Sequence, residues 1–300
     1  MVGKLAAALL VGVSAAAAAA AAGLTSVVAP GATLRQLYAQ AAFTEGPASD
    51  AQGNVFFTDQ PNDRILRCST SGEVTVWRQG AGRANGMCFA DDGAIWTCSD
   101  EKNEGWRILP DGKVDVVVRA YETKLLNGPN DLWLAPDGGC YYTDPYYKRE
   151  YWKRGGQEQP CQGVYYLSPD RQTLTRVADD LESPNGIIGT ADGKTLYVAD
   201  IGAGKTWRYR IGAGGRLSDK TLFCAMGSDG MTIDDEGNVY LTGKGVTVFA
   251  PDGKQIENIA VPQGWTANAC FGGSDRQTLY ITAGKCLYSL ATRVHGVGSQ

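Results

Sequence analysis

The chain has 300 residues, 43% of them hydrophobic and 20% charged, a composition that excludes disorder and collagen-like structure. Twenty-eight Lys and Arg against 32 Asp and Glu leave a formal charge of −4, and with no basic run the balance excludes a nucleic-acid partner, which needs a clustered cationic face. The single histidine, His295, sits in a polar C-terminal tail, which removes Ser-His-Asp triads, Cys-His dyads and multi-His zinc sites from consideration.

In chain order, Met1, Val2, Gly3 and Lys4 precede an apolar, Ala-rich stretch from Leu5 to Leu24. A basic start, an apolar core and a small-residue region predict a secretory signal peptide over residues 1–24. The expectation is export to the periplasm or the medium, with no stable membrane association after cleavage. The alternative is an uncleaved anchor, because about 20 apolar residues span a bilayer.

Residues 33–292 read as one domain. The 39 glycines are nearly double the usual share of about 7%, and without a Gly-X-Y period they indicate many tight turns between short strands. Six segments repeat one pattern: a polar residue, usually followed by Gly, then an apolar stretch, a Gly/Asp turn and an aromatic β-run. They open at Glu45, Asn85, Asn130, Asn185, Asp229 and Asn268, at intervals of 40, 45, 55, 44 and 39 residues. Their β-runs include Val55-Phe56-Phe57-Thr58-Asp59, Cys140-Tyr141-Tyr142-Thr143-Asp144 and Leu196-Tyr197-Val198-Ala199-Asp200.

A period of roughly 40–45 residues with four short strands per unit is the signature of a propeller blade. The predicted fold is therefore all-β, a single six-bladed β-propeller of four-stranded blades with little or no helix. The sixth unit stops after its third strand near Leu290, and Leu34-Arg35-Gln36-Leu37-Tyr38 is predicted to supply the fourth, closing the ring. The long interval comes from an insertion, Tyr146 to Gly156, rich in aromatics and cations. Such a loop either covers a functional face or packs between blades.

Eight cysteines are present without a Cys-x-x-Cys pair. They read equally well as disulfides (Cys140–Cys161 and Cys270–Cys286 are close enough in sequence) and as buried thiols. Gly202-Ala203-Gly204-Lys205-Thr206 ends like a phosphate-binding loop, but Ala199 stands where the first Gly is needed and Trp207-Arg208-Tyr209-Arg210 continues as a strand rather than a helix.

The innermost strands of a propeller face its axis, so the six opening residues should form one ring. Singly, Asn-Gly and Asp-Gly are turn dipeptides. In register they place two carboxylates and four amides together, which is costly unless a cation compensates. An all-oxygen donor set suits Ca²⁺ foremost, and also Mg²⁺ or Mn²⁺.

Thr44-Glu45-Gly46-Pro47, Asn127-Gly128-Pro129-Asn130-Asp131, Ser183-Pro184-Asn185-Gly186 and Ser228-Asp229-Gly230-Met231 resemble the regucalcin/gluconolactonase family of six-bladed propellers, over about Glu45 to Leu290. The resemblance implies a divalent cation, Ca²⁺ first with Mg²⁺, Mn²⁺ and Zn²⁺ as alternatives, held by Glu45, Asn185, Asp229 and Asn130. It implies Asp229 as proton donor and acceptor in lactone hydrolysis, with Asn130 and Asn127 on the substrate side. Regucalcin-type members carry an Arg two residues before the Asn matched to Asn130, where it contacts substrate. Here that residue is Gly128, and Tyr146, Lys148 and Arg149 of the insertion are the candidates to replace it. The expected activity is opening of a small-molecule lactone. The alternatives are another metal-dependent ester or phosphotriester hydrolase, marked by an apolar pocket, or a non-enzymatic binding propeller, marked by a sealed channel.

Overall fold

The computed structural model describes residues 26–297; the predicted signal segment lies outside them. Each sequence repeat forms one four-stranded antiparallel sheet, and there are six. Blade 1 runs from Thr44–Ser49 to Val74–Gln79, blade 2 from Ala84–Phe89 to Val114–Val118 and blade 3 from Leu132–Leu134 to Leu174–Leu181. Blade 4 runs from Pro184–Gly189 to Leu217–Cys224 and blade 5 from Met231–Ile233 to Gln255–Ile259. Blade 6 comprises Thr266–Gly272, Thr278–Ala283 and Cys286–Ala291, and its outer strand is Arg35–Tyr38 from the N-terminal side. That strand pairs antiparallel with Cys286–Ala291, Arg35 opposite Ser289 and Gln36 opposite Tyr288. The first strand of blade 1 also packs against those of blades 2 and 6, so the ring is closed and no inner edge is exposed. Outside the strands, helix among the described residues amounts to two 3₁₀ turns, Gln60–Asn62 and Ala213–Gly215.

The first and second strands are buried along almost their whole length, whereas outer strands such as Val74–Gln79 are largely half-exposed. Each sheet is covered on both faces by its neighbours, so its second strand reads as a continuous apolar run instead of alternating. The large fully buried side chains Phe57, Tyr141, Tyr142 and Tyr240 come from these second strands. Val27 and Val294 pack into the cluster around blade 6. All eight cysteines are free thiols, and seven are buried, so the thiol reading holds and the two suggested bridges do not form.

The turn reading of the opening dipeptides is overturned. Glu45, Asn85, Asn185 and Asn268 lie within first strands, and Asn130 and Asp229 lie just before theirs. The following glycine serves close approach between blades. A Cβ on Gly86 would come within 2.3 Å of Asp131 Oδ1, and one on Gly230 would overlap the Asn268 side chain. The Gly86 N–H donates to the Asn130 carbonyl, 2.8 Å away, and the Gly230 N–H to that of Ala267, also at 2.8 Å.

Candidate functional site

Two devices in the second strands hold the axial segments in place. Buried threonines bond the axial backbone: Thr58 Oγ1 donates to the Asn85 carbonyl, Thr282 Oγ1 to that of Asn268, and Thr242 Oγ1 accepts from the Gly230 N–H. The aspartates that end these strands in blades 1, 3 and 4 accept paired backbone N–H groups from the segment entering the axis. Asp59 takes Ala42 and Phe43, Asp144 takes Asn127 and Gly128, and Asp200 takes Glu182 and Ser183, at 2.8–3.4 Å. Charge-assisted bonds of this kind fix the backbone more firmly than neutral ones.

Above these supports opens a cavity of about 460 Å³ whose floor carries Glu45, Asn85, Asn130, Asn185 and Asp229. Asn185 Nδ2 donates to Asp229 Oδ1 at 2.8 Å and to the Tyr147 hydroxyl at 3.3 Å. The amide oxygen of Asn185 is buried with no hydrogen-bond partner. An orphaned oxygen of this sort is costly unless something absent from the protein chain meets it. Asp229 Oδ2 accepts from Trp265 Nε1 at 2.5 Å. Glu45 Oε2 receives the N–H of Gly46 at 2.9 Å.

Burial raises the carboxyl of Asp229 to about 6, against the lowering effect of the Trp265 and Asn185 bonds. It raises that of Glu45 well above the usual carboxylate range, with the Asp229 charge adding to the shift. A third axial carboxylate, Asp131, is raised by burial to about 7, and the Asn268 amide lies 3.5 Å from it. Among the described residues no three Asp, Glu, His or Cys side chains converge as a metal cluster. The set that does face one cavity mixes carboxylates and amides. Two carboxylates, two amides and a free amide oxygen are hard donors, and they fit a divalent oxygen-seeking cation.

Of the predicted substrate-side residues, the structure brings Asn130 and Arg149 to the cavity and leaves three elsewhere. Asn127 is fully buried, its amide donating to the carbonyls of Asp144 and Cys161. Tyr146 packs beside Trp152 with Arg154 over its ring, and Lys148 is exposed. Within the insertion it is Tyr147 and Arg149 that face the cavity, a choice set by loop conformation. Above Gly128 lies Trp152, whose ring would come within 2.9 Å of a Cβ there.

Asp131, Trp265, Tyr147 and Gln60 escaped the sequence reading. Only Asp131 left a signal: it occupies the position that is Gly46, Gly86, Gly186 and Gly230 in four other repeats. His295 is exposed, bonded to Gln277 and to the Asp275 carbonyl, and lines no part of the cavity. A separate cavity of about 410 Å³ opens among the turns at the other end of the strands, against Trp96, Trp133 and Val297. It contains no axial polar residue.

Fold and site together define a six-bladed propeller with an open, oxygen-rich axial pocket. Residues 43–285 match the model of the SMP-30/gluconolactonase/LRE-like region, and the chain belongs to that family. It is 29% identical over 284 residues to a gluconolactonase of Zymomonas mobilis, covering 85% of this chain and 80% of the relative. It is 30% identical to the lactonase drp35 of Staphylococcus aureus, over 73% of this chain and 69% of the other. Among solved structures, a gluconolactonase from Xanthomonas campestris superposes with a TM-score of 0.83 at 32% identity, covering 90% of this chain and 94% of that one. A calcium-binding regucalcin from Agrobacterium tumefaciens shares the fold, with a TM-score of 0.76 at 20% identity over 89% and 96% of the two chains.

Proposed function

We propose that this protein is a metal-dependent lactonase of the gluconolactonase type, with Glu45, Asn130, Asn185 and Asp229 as the cation's ligands. The observation that carries the reading is the buried, unpartnered amide oxygen of Asn185 beside Asp229, in a cavity open to solvent. An open mouth disfavours a purely structural plug. The wall combines Asn85, Asn130, Tyr147 and Arg149 with Phe43, Pro61, Ile201 and Trp265, and most of its exposed area is apolar; the choice of a lactone over an aryl ester rests on the family and its lactonase relatives.

A bound divalent cation would polarise the lactone carbonyl and acidify a water. The protein's own part centres on Asp229. Its carboxylate takes a proton from the attacking water as the new C–O bond forms. The same proton passes to the ring oxygen as the ring C–O bond breaks, leaving a hydroxy acid. Trp265 Nε1 and Asn185 Nδ2 fix both carboxylate oxygens, so the proton acceptor is oriented before substrate arrives.

The apolar stretch after Lys4 supports export of the protein, and N-terminal sequencing of the mature form would show the cleavage. The activity is tested on protein stripped with a chelator and then titrated with Ca²⁺, Mg²⁺, Mn²⁺ or Zn²⁺ against sugar and aliphatic lactones. Hydrolysis that is lost on stripping and restored by one ion supports the assignment; hydrolysis indifferent to chelation overturns its metal dependence.

A further inference from the structure

Blade 2 departs from the backbone clamp of blades 1, 3 and 4. Its second strand, Ile95–Ser99, ends in Ser99, and the carboxylate stands one residue later, at Asp100. Asp100 is 3% exposed and its Oδ2 receives three side chains in place of backbone. Gln60 Nε2 arrives from blade 1 at 2.8 Å, while Arg149 Nε at 2.8 Å and the Tyr151 hydroxyl at 2.7 Å come from the blade 3 insertion. The Asp100 carbonyl also accepts from Trp152 Nε1 at 2.7 Å. Arg83 lies over the Tyr151 ring at 4.5 Å and Arg154 over the Trp152 ring at 4.1 Å. One buried residue therefore holds Arg149, Tyr151 and Trp152 of the insertion against the neighbouring blade.

The consequence falls on the cavity. Gln60 and Arg149 both line it, and Arg149 is the one cation among its described lining residues. With Nε committed to Asp100, the two Nη groups of Arg149 make no hydrogen bond to the described residues. A guanidinium held by Nε presents its outer edge as a paired donor, and the rotamer entropy that a free arginine would lose on binding is already lost.

We propose that Asp100 is a positioning residue that presets Arg149 to grip oxygen substituents carried on the substrate ring, selecting polyhydroxylated lactones over unsubstituted ones. This rests on the lactonase reading above. Arg149 binds; Asp100 acts through it.

The test uses the full chain with its activating ion and two substrates, glucono-1,5-lactone and δ-valerolactone, in the wild type, Arg149→Met, Asp100→Asn and the double variant. In Arg149→Met the ratio of kcat/KM for the hydroxylated over the plain lactone falls by about tenfold or more, the loss lying in KM, as expected for a charged hydrogen bond. Asp100→Asn lowers the same ratio by about threefold or more, and the double variant is no worse than Arg149→Met alone, because both substitutions remove one interaction. An unchanged ratio in Arg149→Met, or additive losses in the double variant, overturns the proposal. If Asp100→Asn fails to fold, Asp100→Glu, which keeps the charge but displaces the carboxylate from Arg149 Nε, takes its place with the same expected fall in the ratio, and an unchanged ratio there overturns the proposal. Wild-type protein that turns over neither lactone with any ion overturns the lactonase reading and this proposal together, whereas turnover of both with no change of ratio overturns this proposal alone.

Discussion

At the upper end of the axial channel the repeats present Glu45, Asn85, Asn130, Asn185 and Asp229. Two residues further along the same strands they present Pro47, Met87, Leu132, Ile187 and Met231, which together with Asp131 and Asn268 enclose a far smaller space of about 30 Å³. The chain thus writes a polar ring and an apolar ring with one set of strands, separated by the narrow step where glycine lets neighbouring blades meet. The apolar ring removes surface from water and stabilises the propeller at about 25 cal/mol per Å². The polar ring does the reverse. It gathers two carboxylates, Glu45 and Asp229, whose burial raises their pKa, and it is tolerable because the surrounding structure holds it there. Most apolar burial lies at one end of the channel and the open polar site at the other, with the Asp131–Asn268 pair as the exception between them.

Substitutions at the two ends should therefore fail in different ways. Asp229→Asn is expected to have the largest effect on chemistry, a loss of about 10²–10⁴ in kcat, while circular dichroism shows an intact fold. Ile187→Ala, at the apolar ring and 1% exposed, should cost about 2–5 kcal/mol in denaturant unfolding, and at temperatures where it is folded its KM should match the wild type. A variant at 229 that unfolds, or one at 187 that stays stable but loses turnover, would break the division.

Cation removal should come next in size. Binding to the folded state alone stabilises by about 2.7 kcal/mol at a hundred times Kd, so chelation should lower the melting temperature of the wild type and do so less in Asp229→Asn. The stripped protein should also show an inverse pH dependence. Asp229 and Asp131 hold protons in the folded state up to about 6 and about 7, whereas the unfolded chain releases them near the ordinary carboxylate value. Their protonated forms favour folding at low pH, and that stability is lost as pH rises through 6 and 7. Melting temperature measured after chelation should thus fall from pH 5 to pH 8, and added cation should flatten the trend, because it takes the place of the protons. The smallest effect is expected from Trp265→Phe, which keeps an aromatic side chain and removes the indole N–H from Asp229. A loss of about 1–3 kcal/mol in kcat/KM, with the acidic limb of the pH–rate profile moved upward because a lowering bond is gone, would separate its role from that of a simple wall.

Much of this architecture is set by local patterning that survives any context. Repeat spacing, aromatic β-runs and Gly turns required four-stranded blades, and the missing strand of the last unit required closure by residues 34–38, of which Arg35–Tyr38 form the strand. The opening residues could be placed on the axis because a propeller's symmetry makes equivalent positions converge. What tertiary structure alone decided is asymmetric. Whether Tyr146 and Lys148 or Tyr147 and Arg149 face the cavity depends on how one irregular loop docks, and a loop has no period to read. That the oxygen of Asn185 is left without a partner follows from its amide nitrogen being turned to Tyr147 and Asp229, partners 38 and 44 residues away in sequence. The seating of the insertion on Asp100 depends on a carboxylate shifted by one residue in a neighbouring blade. Repetition encodes the frame in the sequence, whereas the contacts that distinguish one blade from the next are long-range, and only the closed ring brings them together.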